Sequence, residues 1–250
     1  MTPCVDDTLC HRTPPSSSFS VEDRTPVAVS RLAAVVADGG CGRLEWHHPG
    51  PSAAFGRRDT LAPGFAAAVE TVRAYGFEPF VRPVGGRLAA YHGGALVLDL
   101  LLPSDNPRAG TTARFSALAN LLSQGLRRLG VEARTGAVTG EYCPGEWSVN
   151  ARGATKLVGT GQRLVRNAVL LTAVVVVSDA GPLREVMSSA YADLGLSIDR
   201  RTVGSVSDEV PGVTLSEVEK VLGEVLAESL PLAGPNLVNG RTFTSRWDPQ

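Results

Sequence analysis

Apolar residues recur every three or four positions in four stretches of the chain. In TTARFSALANLLSQGLRRL (111–129), Phe115, Leu118, Leu122, Leu126 and Leu129 share one face, which predicts an amphipathic helix closed by Gly130. GFAAAVETVRAYGF has the same spacing, with Phe65, Val69 and Val72 on one side and Gly76 at its stop. PLREVMSSAYADLG reads as a third helix. Thr214 and Glu217 form a capping-box pattern at the start of a fourth, TLSEVEKVLGEVLAESL.

Other segments read as strands. RLEWHHPGPSAAFGRRD gives short strands joined by a Pro-Gly turn. EPFVRPVGGRLAAYHGGALVLDLLLP gives a strand, a glycine turn, a short strand, a second glycine turn and a strand from Ala95 to Leu102. VEARTGAV reads as a strand. SVNARGATKLVGTGQRLVRNAVLLTAVVVV reads as a meander with tight turns at Arg152-Gly153 and near Gly159 and Gly161. Strands and helices alternate irregularly and hairpins recur. The prediction is an α+β fold, a mixed and largely antiparallel sheet flanked by helices, rather than a doubly wound parallel sheet.

Residues 1–25 are rich in Ser, Thr, Pro and Asp and lack apolar periodicity, so a disordered tail is expected there and a single domain over 26–250. The 250 residues suffice for a sizeable core. A net charge of −1 offers no electrostatic argument for nucleic acid or an anionic membrane as partner. The run AVLLTAVVVV is too short to cross a bilayer as a helix, and the N-terminus lacks the apolar core of a secretory signal. Cys4, Cys10, Cys41 and Cys143 show neither a CxxC pair nor zinc-type Cys/His spacing. These features lead us to expect a cytoplasmic protein with reduced thiols and no metal site.

Three segments could carry chemistry. In RPVGGR (82–87), with His92 following, Gly85 and Gly86 would let a ligand approach the backbone, and Arg82 and Arg87 add charge-assisted donors for a carboxylate or phosphate. The same residues could form two hairpin turns with solvated arginines. Lys156 and Lys220 are the only lysines; Lys156 precedes Gly159, Thr160, Gly161 and Gln162. A lysine aimed into a pocket holds a carbonyl oxygen or stabilises an oxyanion, whereas one before a turn is often just solvated. Cys143 lies on the loop of YCPG. Its thiol would be a nucleophile only as thiolate, which a nearby ammonium favours; otherwise it is an unreactive loop cysteine.

Taken together, these segments resemble the lipoate-protein ligase and octanoyltransferase family, related in fold to biotin-protein ligases. AFGR (54–57) resembles its early strand end. RPVGGRLAAYH (82–92) resembles its Arg-x-x-Gly-Gly-x-Ala-x-x-His motif, and Gly94 to Leu96 the strand entry after it. KLVGTGQR (156–163) resembles its Lys-Ile-Ala-Gly-x-Ala-Gln-Arg signature. The chain departs from that pattern at Leu157, Val158 and Gly161, and in a Gly-Gly-to-His interval one residue longer.

The resemblance implies a catalytic domain that attaches an octanoyl or lipoyl group to one lysine of a lipoyl-domain protein. Such acceptors include the glycine cleavage H protein and a dehydrogenase E2 subunit, and an acyl carrier protein is a candidate donor. Lys156 and Cys143 would be catalytic, with Trp147 close behind the cysteine. Arg82, Gly85, Gly86, Arg87, His92, Gly159, Thr160 and Gln162 would bind the acyl group or its adenylate. No tightly bound cofactor is implied; the acyl donor is a substrate. The alternatives are an ATP- and Mg-using lipoate ligase working through lipoyl-adenylate, and a non-catalytic lipoyl-domain binder. Lys156→Ala is expected to abolish transfer and leave the fold intact.

Overall fold

The computed structural model describes residues 21–37 and 42–229, and the backbone of 241–242. The chain opens with β1 (Glu22–Asp23), α1 (Thr25–Ala37), β2 (Arg43–His47) and β3 (Ser52–Phe55). Next come α2 (Phe65–Ala74), β4 (Glu78–Val81), β5 (Ala89–Tyr91), β6 (Ala95–Pro103) and α3 (Thr111–Arg128). β7 (Ala133–Thr135), β8 (Val149–Ala151), β9 (Thr155–Val165) and β10 (Ala168–Val176) form the meander. α4 (Ala180–Asp193), a 3-10 turn (Arg200–Thr202), α5 (Val206–Glu209), α6 (Leu215–Ser229) and β11 (Arg241–Thr242) complete it.

Two sheets result. The larger has the order β11-β2-β6-β10-β9-β8-β7 and is antiparallel throughout. The smaller has the order β1-β4-β3-β5, with β4 parallel to both β1 and β3. The α+β prediction holds, with the mixed pairing confined to the smaller sheet. β2 and β3, adjacent in sequence across Pro49, Gly50 and Pro51, enter different sheets. Prolines cannot donate to a ladder, which suits this segment to a crossover rather than a paired turn.

One face of the large sheet carries Leu96, Leu98, Leu100, Val169, Leu171 and Val175 under α3 and α6. Leu118, Leu122 and Leu126, whose spacing predicted α3, are fully buried there. Each such leucine contributes about 1.5–3 kcal/mol. The small sheet packs α2 and α4 through Phe55, Val69, Val72, Leu183 and Met187. The cleft between the sheets is where the candidate residues gather.

Three features differ from the sequence reading. α1 was not anticipated; it buries Ala28, Leu32 and Val35 against Leu101 and Leu170 of the large sheet. Residues 1–20 of the expected tail lie outside the described residues, while Glu22 and Asp23 pair with Phe80 and Val81. Finally, no turn forms at Gly159 or Gly161, since β9 runs through both. The reversal comes at Asn167, whose φ is +62°. Gly161 serves close packing instead. A Cβ there would lie 2.7 Å from Val84 Cγ2, so only glycine lets the 82–86 loop settle on the strand.

Candidate active site

Lys156 owes its direction to an irregularity in β9. Val149 pairs with Val158, but Asn150 pairs with Lys156, so one extra residue stands on β9 opposite β8. Without that bulge Lys156 would share the core face of Val158. With it, both Leu157 and Val158 point into the apolar core and Lys156 turns to the cleft. Its side chain is only 2% exposed, which excludes the solvated-lysine reading. Its Nζ donates to the carbonyls of Tyr142 and Cys143, both at 3.0 Å, and lies 3.2 Å from Glu141 Oε2. The ammonium also lies 4.5 Å from the centre of the Tyr142 ring. Burial lowers its pKa, opposed by the Glu141 carboxylate and the Cys143 sulfur.

Cys143 sits beside it in a left-handed conformation, φ +41°, that non-glycine residues rarely adopt. Several contacts impose it. The Cys143 N–H donates to Tyr191 Oη at 2.7 Å, and Tyr191 in turn donates to the Leu88 carbonyl at 2.8 Å. Lys156 holds the Cys143 carbonyl, and Glu141 Oε1 accepts from Gly145 N–H and Ser148 Oγ, both at 3.1 Å, pinning the rest of the loop. The thiol points at the glycine loop, where Arg82 Nη2 and Arg87 N–H each donate to Sγ at 3.2 Å. Burial alone would raise the thiol's pKa. The Arg82 guanidinium, the Lys156 ammonium and the Arg87 N–H outweigh it and bring the pKa below the ordinary thiol value.

That shift has a direct readout. Alkylation of Cys143 by iodoacetamide, followed by peptide mapping, is expected to reach half its maximal rate at a lower pH than for a free thiol. In Arg82→Gln the midpoint moves up. A midpoint at or above that of free cysteine would remove the case for an activated thiol.

The cavity in front of the thiol has a volume of about 370 Å³. Of the residues singled out from sequence, Arg82, Gly85, Gly86, Cys143, Trp147, Lys156, Gly159, Thr160 and Gln162 line it. Gly85 N–H reaches the Gln162 carbonyl at 3.4 Å, and the Gln162 side chain is held by Arg114 Nε at 2.8 Å. Arg87 is not part of the wall, but its N–H reaches the sulfur and its side chain meets Asp59 at 3.1 Å. The structure does not bring His92 to the cavity. Its Nδ1 accepts from Gly94 N–H and its Nε2 meets the Asp179 carbonyl, both at 2.8 Å, so it braces the turn into β6.

Sequence reasoning missed Glu141, Tyr191 and Asp59. Glu141 is 3% exposed and carries the charge opposite Lys156. Asp59 is fully buried and accepts from Gly56 N–H at 2.8 Å as well as from Arg87. For Glu141 a signal existed: an acidic residue two positions before the candidate cysteine in a chain with two lysines. Tyr191 is indistinguishable from other helix-face aromatics until α4 is placed.

The two sheets enclose the recess that these side chains line. The model of the lipoyl protein ligase A/B catalytic domain matches residues 43–227, and the chain belongs to that family. It is 27% identical to an octanoyl-[GcvH]:protein N-octanoyltransferase of Geobacillus kaustophilus, over 86% of this chain and 74% of the relative. It is 26% identical to an Exiguobacterium sibiricum protein of the same name, over 83% of this chain and 71% of the relative. A lipoate-protein ligase A bound with ATP has the same fold at TM-score 0.63 and 19% identity, covering 84% of this chain and 83% of the other. The T. acidophilum protein Ta0514 with bound lipoic acid superimposes with TM-score 0.58 at 20% identity, over 74% of this chain and 71% of that one.

Proposed function

We propose that the chain transfers an octanoyl or lipoyl group from a thioester donor to a lysine of a lipoyl-domain protein, with Cys143 as covalent carrier. The observation that carries this reading is the sulfur itself: partly buried, hydrogen-bonded by Arg82 and Arg87 and near the ammonium of Lys156. The names of the curated relatives support the acyl group and the acceptor class.

In this reading the Cys143 thiolate attacks the donor carbonyl carbon. A sulfur–carbon bond forms, the donor thiolate leaves, and the proton given up by the Cys143 thiol goes to that leaving thiolate. The acceptor amine then attacks the acyl-enzyme, an amide forms as the carbon–sulfur bond breaks, and the proton lost by the amine goes to the departing Cys143 sulfur. Among the described residues the buried Arg82 Nε has no hydrogen-bond partner, and in this scheme it donates to the developing acyl oxygen. Lys156 keeps the sulfur anionic and the loop in place. The acceptor would be the glycine cleavage H protein or an E2 subunit, and the site of action the cytoplasm.

The test is intact-protein mass after incubation with octanoyl-carrier protein and no ATP, for the native chain and Cys143→Ser. A hydroxylamine-sensitive octanoyl adduct in the native chain alone is expected. No adduct, with transfer restored by ATP, Mg and free lipoate, would assign the chain to the ligases and return Cys143 to a loop residue. Binding of a lipoyl domain with no turnover under either condition would make it a binder.

A further inference from the structure

Four groups around the sulfur carry charge: Arg82 and Lys156 as cations, the Cys143 thiolate and Glu141 as anions. Arg87 is balanced separately by Asp59. Burial pushes the phenols of Tyr142 and Tyr191 up, so both stay neutral. The other neighbours of Lys156 are uncharged: Asn150 of β8, and Val203 and Gly204, which meet its backbone.

With the thiol ionised, two cations stand against two anions. Acylation changes that sum, because a thioester sulfur carries no charge. The acyl-enzyme then holds Arg82 and Lys156 against Glu141 alone. An arginine does not give up its proton in a protein, so the excess charge bears on Lys156. A buried ammonium left without a counter-charge sheds its proton.

Glu141 is placed to prevent this. It is 3% exposed, and its Oε2 faces Lys156 Nζ at 3.2 Å and takes no hydrogen bond among the described residues. Its Oε1 is fixed by Gly145 N–H and Ser148 Oγ, both at 3.1 Å, so the loop that carries the thiol also aims the carboxylate. The carbonyls of Tyr142 and Cys143, which accept from Nζ, are dipoles without net charge. Of the two anions facing Lys156, Glu141 is the one that persists once Cys143 is acylated.

We propose that Glu141 is a positioning residue acting through Lys156: it keeps the ammonium charged in the acyl-enzyme, so that the negative charge building on the departing Cys143 sulfur meets a cation already in place. This rests on the covalent-carrier reading above and assigns Glu141 to its second half. Lys156 is then not the base of that half. The proton of the acceptor amine passes to the sulfur, and Lys156 keeps its own.

The test separates the two halves. Octanoyl-enzyme is made from octanoyl-carrier protein, freed of donor and mixed with the glycine cleavage H protein. Loss of the adduct is followed by intact mass for the native chain and Glu141→Gln. Glutamine keeps an acceptor for Gly145 N–H and Ser148 Oγ and removes the charge. Burial lowers the pKa of Lys156 and the Glu141 carboxylate opposes it, so in the variant that pKa falls further. The ammonium is then lost as pH rises and restored as pH falls. The variant is expected to lose its adduct at least about tenfold more slowly than the native chain at about pH 8, and to approach the native rate at about pH 6. Adduct formation is expected to change less, because in the free enzyme the thiolate itself balances Lys156.

Ser148→Ala, which loosens the loop and leaves the charge, is expected to give the same ratio to native at both pH values. A pH-independent ratio for Glu141→Gln would assign Glu141 to loop stability alone and overturn the proposal. Adduct loss as fast as native would overturn it too, since a neutral Lys156 would then suffice. Absence of any adduct in the native chain overturns the covalent reading, and this inference with it. A second measurement needs only the native active site. Lys156 and the exposed Lys220 are the only lysines, so ε-carbon-13 lysine labelling gives two signals, assigned with Lys220→Arg. In the octanoyl-enzyme at about pH 8 the Lys156 signal is expected at the ammonium position. The amine position there overturns the proposal, whether or not Glu141→Gln folds.

Discussion

Lys156→Ala is expected to lower acyl transfer by at least about 100-fold, the scale seen when one preorganised electrostatic donor is removed. It is also expected to destabilise the protein, contrary to the sequence-based expectation that the fold would be untouched. Lys156 is the counter-charge of Glu141, and both side chains are buried. Removing one member of such a pair costs roughly 3–5 kcal/mol, because the other charge is left buried and alone. For a chain of this size that is a fall in Tm of roughly 6–20 °C.

The two effects can be separated. The double variant Lys156→Met/Glu141→Gln removes both charges yet keeps an acceptor for Gly145 N–H and Ser148 Oγ. It is expected to regain most of the lost Tm but not the lost transfer. Native-like transfer by this folded double variant would show that the lysine serves the loop's stability alone.

Gly86→Ala is the second large effect. Gly86 has φ +107°, and a Cβ there would lie 1.9 Å from Arg82 Nη2 and 2.6 Å from Cys143 Sγ. The strained backbone costs about 1–3 kcal/mol. The steric effect falls on chemistry, since the clash displaces the guanidinium from the sulfur. Adduct formation is expected to fall about 100-fold, with the alkylation midpoint of Cys143 moving to higher pH. An unchanged rate and midpoint would show that the Arg82 contact is dispensable.

These two residues also show how much could be read in the chain beforehand. The helices α2, α3, α4 and α6 were legible because each carries a full apolar stripe. The glycine loop and Lys156 drew notice because they resemble motifs of the family; on their residue types alone they read equally as turns and a solvated lysine. What was not legible depends on two sheets meeting. α1 has little contrast between its faces in sequence, with exposed Val27, Val29 and Val36 beside buried Leu32 and Val35. His92 looks like a ligand-binding histidine in the motif, yet its two ring nitrogens are both used by local backbone. Gly159 and Gly161 read as a turn because glycine is common in turns; here the missing Cβ at Gly161 admits Val84 from another segment. Asp99 and Glu141 drew no notice because a single acidic residue in an apolar or loop context has no period. Their partners, Arg31 and Lys156, lie 68 and 15 positions away, 99 − 31 and 156 − 141.

The extra residue on β9 makes the direction of Lys156 a matter of counting. Val158 and Lys156 are two positions apart and would share a face in a regular ladder, so the ammonium faces the cleft only because Leu157 takes the extra place between them. Substitutions at Leu157 alter packing by degrees. Deleting Leu157 would remove the extra place and leave a regular ladder, Val158 opposite Val149 and Lys156 opposite Asn150, with the ammonium still on the cleft face; moving the extra place to the far side of Lys156 would instead turn it into the leucine layer. The ammonium's direction therefore rests on which residue takes the extra place, not on the length of the strand.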